Sequence, residues 1–359
     1  MRPAATAVGD EAPVSVVGTI GVGGDPAGVA VDPVAGIVYV TNRASDSVSI
    51  VDERALRAVA TVPVGHAPAG VAADPSTGRA YVANAQDHTL SVVDGARRRV
   101  VATWPVGYLP GAVAVDPSMR RVYVADETTV PSCAGGCDDT IRALDALTGR
   151  LVAPPAGDMG GWVSAMAVDA ATHALAVSVD GKYEGDALVA LLSPALDTLA
   201  GDRPGYWVGG VAVDPRTGRL YAGLLMQTLL ALDPLPGPPA AFRVARIAVG
   251  VGPHQVAVDP STGTVYVANG SGHTVSVVDG RTNRVTATVP VGAPSVAYFS
   301  TDNSGPGAIA VDPATHRVFV ADRGDNHVTV LQGISAVRPG PPPTMPHSGG
   351  GGGRSLGGR

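Results

Sequence analysis

Short apolar runs alternate with polar turns along almost the whole chain. GVAVDPVAGIVYVTN, Gly28–Asn42, sets the pattern: an apolar strand around Val29–Val31, a DP-led turn, then a second strand through Ile37–Val40. The spacing predicts strands, because apolar positions recur in short runs bounded by Asp, Pro and Gly. No 3.6-residue apolar stripe runs long enough to predict a helix. The turn Asp returns at Asp32, Asp74, Asp116, Asp169, Asp214, Asp259 and Asp312, at intervals of 42, 42, 53, 45, 45 and 53 residues. Such a period is that of a four-stranded propeller blade.

Each unit reads the same way. The turn is DPSTGR at Asp74–Arg79 and DPRTGR at Asp214–Arg219; Asp accepts backbone N–H groups, Pro presets φ and Gly supplies a left-handed residue. A second strand follows, YVTN at Tyr39–Asn42, YVAN at Tyr81–Asn84 and FVAD at Phe319–Asp322. A third reads SVSIVD at Ser47–Asp52, and a fourth ATVPVG at Ala60–Gly65. Pro in that fourth strand suits an outer edge, where a missing N–H costs no ladder bond.

The expected fold is all-β, a seven-bladed β-propeller of four-stranded blades. No blade buries both faces alone, whereas a closed ring of seven buries them all. Blade seven runs out after three strands, but SVVGTIGVG at Ser15–Gly23 matches the fourth-strand template, so the N-terminal strand is expected to complete the last blade. The expected organisation is a short extension over 1–13, the propeller over 14–337, and a Pro- then Gly-rich tail over 338–359 that cannot pack.

With these residues in view, the chain resembles the YVTN-type β-propeller repeat proteins, over roughly residues 14–332. The resemblance implies a surface-layer or secreted propeller that presents an adaptable binding face. Some related seven-bladed propellers are enzymes, such as lactonases and lyases, and others dock on cofactor-bearing subunits. Blade four departs from the pattern, with AVSV at Ala176–Val179, and so does blade five, with YAGL at Tyr221–Leu224.

Composition narrows the choice of partner. A net charge of −6 does not favour a nucleic-acid or anionic-membrane binder. No apolar run is long enough to span a bilayer. Residues 1–13 show no basic segment followed by an apolar one, so no signal peptide is visible; an extracytoplasmic home is favoured, with the cytoplasm left open. The protein is expected to be a monomer that binds a protein or small-molecule ligand.

Function on this fold is expected on the face carrying the fourth-to-first and second-to-third loops, here called the top. Those loops hold the length variation and far more acids than bases. The expected site lies at the channel mouth near blades three to five and the approach to seven. Its candidate ligand-binding residues are His66, Glu127, Trp162, Lys182, Glu184, Arg203, Trp207, His254, Tyr298 and Arg323. His66 and His254 are read as occupying matching loops, which makes them weak candidates for a divalent metal. No cofactor motif is evident. His88, His273 and His327 are read as one repeat position with a local structural job. Cys133 and Cys137 fit a disulfide, free thiols or a metal pair, and the bridge would favour an oxidising compartment. The leading expectation is a non-catalytic scaffold binding on an acidic top face; the alternative is a propeller enzyme, a lactonase, lyase or metal-assisted hydrolase, with its site at the top of the channel.

Overall fold

The computed structural model describes residues 13–127, 139–157, 159–181, 183, 185–205, 207–224, 226–235, 241–292 and 305–334. Seven antiparallel sheets stand in a ring. In blade one the strands run Pro26–Asp32, Ile37–Asn42, Ser47–Asp52 and Arg57–Pro63, from the axis outwards. The innermost strands of successive blades touch all the way round, with Pro26–Asp32 of blade one against Pro306–Asp312 of blade seven. The N-terminal strand, Ser15–Gly21, pairs with His327–Gln332 and is the outer strand of blade seven. The first and last described segments thus share one sheet, as the sequence predicts.

Blade three departs from the template. Its sheet has three strands, and the fourth edge is reduced to two isolated bridges, Leu144 with Leu151 and Ile141 with Ala156. Pro154 and Pro155 fall between those bridges. Two residues without N–H groups cannot sustain a ladder.

The turn aspartates form the lower face. Asp32 Oδ1 accepts the N–H groups of Val34 and Ala35, both at 3.0 Å. Four residues after each Asp the backbone is left-handed, with φ from 51° to 76° at Gly36, Gly78, Arg120, His173, Gly218, Gly263 and His316. Glycine takes that conformation freely; Arg and His do so at a cost. The two histidines recover it between blades. His173 Nδ1 lies 2.9 Å from Asp116 Oδ2 of blade three, and His316 Nδ1 lies 2.8 Å from Asp259 Oδ2 of blade six.

The second strands hold the core between blades. Tyr39, Tyr81, Tyr221 and Tyr266 are buried and reach into the next blade. Tyr39, Tyr81 and Tyr221 donate to the carbonyls of Gly78, Ala146 and Gly280. A Cβ at Gly95, Gly280 or Gly333 would collide with one of these hydroxyls. The junction of blade seven with blade one breaks this rule at both positions: the second-strand aromatic is Phe319, and the residue matching Gly95 is Glu53.

Candidate functional site

The top loops brace themselves with one repeated device. Asn42 Oδ1 accepts the Gly23 N–H while its Nδ2 donates to the hydroxyls of Ser47 and Ser49. Asn84 does the same with Gly65, Thr89 and Ser91. In blade three the pair is exchanged as a unit. Asp126 replaces the Asn and Arg142 replaces the Ser, forming an ion pair at 2.8 Å. Burial still pushes the Asp126 carboxyl up, against the pull of that guanidinium. Blade seven has Asp322 with Thr329. Its Oδ2 accepts the Thr329 hydroxyl, its buried Oδ1 has no partner among the described residues, and burial raises its pKa to about 6.

A second device closes each loop. The residue before the third strand is left-handed at Asp46, His88, Gln227, His273 and Asn326. Asp46 Oδ1 accepts the Ala67 N–H, His88 Nδ1 that of Leu109, and Asn326 Oδ1 that of Asp25. The structural job read for His88 is thus a loop brace; His273 shares its left-handed backbone. His327, however, sits one residue later, at the position of Ser47, and the matching residue is Asn326.

The top of the ring opens into the central channel, a cavity of about 570 Å³ lined by the innermost strands of all seven blades. Gly, Ala and Val supply most of its wall. Its charged and larger polar side chains gather on one arc, blades six, seven and one: His254, Gln255, Arg323 and Arg43; blade four adds Ser164. Blade one carries Ala27 and Gly28 at the positions where blade six carries His254 and Gln255. The His254 pKa is lowered, first by burial and then by Arg323, so the imidazole is held neutral; it bonds to the Gly307 backbone, and its buried Nδ1 has no partner among the described residues. Asp25 ties the arc together. Its carbonyl accepts the Arg43 N–H at 2.9 Å, and its carboxylate accepts from Arg323 Nε at 3.0 Å.

Of the candidate residues, His254 and Arg323 meet at this mouth. His66 does not belong with them. It precedes the Pro68 of its loop whereas His254 follows Pro253, so the two are three repeat positions apart. His66 is exposed and pairs with Asp46 at 2.7 Å, which raises the His66 pKa. The two histidines therefore form no matched metal pair. Among the described residues no group of three or more His, Cys, Asp or Glu side chains could hold a metal.

Trp162 and Trp207 are exposed on blades four and five and do not line the cavity. Arg203 donates to the Asp186 carbonyl. Lys182, Glu184, Tyr298, Cys133, Cys137 and the side chain of Glu127 lie outside the described residues. The polar arc sits on blades six, seven and one, where the expectation named blades three to five and the approach to seven, and it includes Arg43 and Gln255, which the sequence reading missed. One signal was available. Arg43 and Arg323 each follow the last residue of a second strand, the position held by Ala85 in blade two and Gly270 in blade six.

Several top-loop acids are used internally, Asp25 by Arg323, Asp46 by His66 and Asp126 by Arg142. A groove of about 680 Å³ lies on the lower face between blades five and six. Its charges satisfy one another: Arg219 pairs with Asp233 at 2.5 Å and donates to the Gly280 carbonyl. That groove reads as a structural joint.

No family model matches the chain. A PE-PGRS family protein of Mycobacterium tuberculosis is 43% identical over 63 residues, which span 18% of this chain and 11% of that protein. Among solved structures, a chain of Kuenenia stuttgartiensis hydrazine synthase superposes with a TM-score of 0.72 at 18% identity, covering 88% of this chain and 96% of that one. At that identity the likeness concerns the propeller fold alone.

Proposed function

We propose that the protein is a non-catalytic binding propeller of the YVTN type, working outside the cytoplasm, whose ligand enters the top of the central channel. The observation that carries this reading is the polar arc at the mouth. Six blades leave the corresponding inner positions small, and blade six alone places a partly buried His and a Gln there. An apolar cavity with a few convergent polar groups is the usual form of a small-molecule site. No helix among the described residues is long and apolar enough to cross a membrane.

The test is a thermal-shift panel of organic acids, amines, alcohols and sugars on the native protein and on Ala27→Phe. Ala27 lines the cavity at the repeat position that accommodates His254 in blade six, so a larger side chain there should narrow the mouth without opening the ring. A compound that binds only the folded ring raises its melting temperature. Stabilisation of the native protein but not of Ala27→Phe supports the channel mouth. Equal stabilisation of both places binding elsewhere and overturns it. Turnover of any panel member would shift the reading to an enzyme.

A further inference from the structure

Arg43 and Arg323 occupy one repeat position in neighbouring blades; Asp25 holds the Arg43 backbone through its carbonyl and the Arg323 side chain through its carboxylate. Asp25 engages the Nε of Arg323, and among the described residues no acceptor meets its two terminal amino groups. Arg43 is exposed, and its side chain makes no hydrogen bond or ion pair among the described residues. Both arginines line the cavity, the Asp25 carboxylate meets only the guanidinium of Arg323, and the neutral His254 adds no charge. The mouth carries a local positive charge in a protein whose net charge is −6.

Below that charge the wall is apolar, with Val29, Ala69, Val113 and Ile309 contributed by four different blades. A guanidinium fork matches a carboxylate with two parallel hydrogen bonds. A wall of Gly, Ala and Val offers an inorganic anion or a sugar nothing, but it shelters an aliphatic chain at roughly 25 cal/mol per Å² removed from water.

We infer that the channel mouth binds a small amphiphilic carboxylate, its headgroup between Arg43 and Arg323 and its aliphatic part in the channel. The inference rests on the channel-mouth reading above and adds the ligand class. A medium-chain fatty acid and a branched-chain organic acid share this chemistry, and chain length separates them.

Calorimetric titration tests it with octanoate, isovalerate, 1-octanol, octylamine and inorganic phosphate, on the native protein and on Arg43→Gln, Arg323→Gln and Ala27→Phe. Octanoate or isovalerate is expected to bind, whichever matches the channel better, with 1-octanol, octylamine and phosphate at least tenfold weaker. Arg43→Gln, at an exposed and unpaired position, should leave the melting temperature unchanged and weaken the carboxylate about tenfold, the scale of one charge-assisted hydrogen bond. Arg323→Gln should weaken it too, and Ala27→Phe should abolish binding.

1-Octanol binding as tightly as octanoate, with neither Arg variant changing either, would overturn the carboxylate inference; if Ala27→Phe still blocked the alcohol, the channel-mouth reading would stand. Phosphate binding as tightly as the organic acids would overturn the amphiphilic part. No binding by either carboxylate would overturn the inference, and carboxylate binding that Ala27→Phe does not touch would overturn both readings.

Discussion

Asn42, Asn84 and Asp322 show how one side chain can set the stability of a loop. The amide both accepts from the incoming Gly N–H and donates to two third-strand hydroxyls. A carboxylate can only accept. Asp322 therefore leaves Oδ1 buried with no partner among the described residues, and the charged form is disfavoured until about pH 6. Its folded pKa lies above the ordinary 3.8, so the stability associated with its protonated form is lost as pH rises from near 4 through about 6. Asp322→Asn keeps a hydrogen bond with the Thr329 hydroxyl and carries no buried charge. It should stabilise the protein by about 1 kcal/mol at pH 7.5, with the gain shrinking towards pH 4. Chemical denaturation at both pH values checks this, and a destabilised variant at pH 7.5 would contradict it.

At the scale of the element, the two turn histidines trade backbone strain for a bond between blades. His316 sits at φ 59° and its ring meets Asp259 at 2.8 Å and Ser261 at 3.3 Å. His316→Ala keeps the left-handed strain and loses both contacts, so it should cost about 1–2 kcal/mol. His316→Gly loses the contacts but relieves the strain, and should be milder by about 1 kcal/mol. Urea unfolding of the three proteins gives the order directly; glycine as harmful as alanine would show that strain plays no part.

These turns were legible beforehand, because DPSTG and its variants state their geometry in residue types. The strands were legible for the same reason, seven repetitions of one apolar pattern. The mouth was not. Asp25, Arg43, His254, Gln255 and Arg323 are distant in sequence, and each looks like an ordinary loop residue. Only superposing the repeats shows that 43 and 323 share a position. Long loops drew attention to blades three to five, whereas the polar arc was built from single replacements in loops of ordinary length. Blade three's missing fourth strand had a plain signal in Pro154-Pro155, masked by the regularity of its neighbours.

At the scale of the molecule, the ring closes inside blade seven, beside its junction with blade one. The N-terminal strand closes it by pairing Ser15–Gly21 with His327–Gln332. Removing residues 1–23 would expose that edge and the apolar side chains under Ile20, and should lower the melting temperature sharply; an unchanged melt would contradict the closure.

The junction of blades seven and one holds two buried carboxyl groups. Glu53 and Asp312 are 2% and 1% exposed. Glu53 accepts from the Thr315 hydroxyl, and its pKa is raised to about 7 first by burial and then by the neighbouring Asp312 carboxyl. Arg317, which donates to the Glu53 carbonyl, pulls the other way. Phe319, lacking the hydroxyl of the other second-strand tyrosines, leaves room for this pair. Since the folded pKa exceeds the ordinary 4.5, the junction is strongest with Glu53 protonated and weakens as pH rises from about 4.5 to about 7. Glu53→Gln supplies the donor at every pH. Its stability relative to the native protein should therefore rise between pH 5 and pH 8; a difference that stays flat across that range would contradict a raised Glu53 pKa.

The ring places two arginines over an apolar channel, and the most direct view of that arrangement is a crystal structure of the protein soaked with octanoate. The expected result is a carboxylate between Arg43 and Arg323 with its aliphatic chain directed into the channel. Density for the ligand in the lower groove between blades five and six, with the mouth empty, would contradict it.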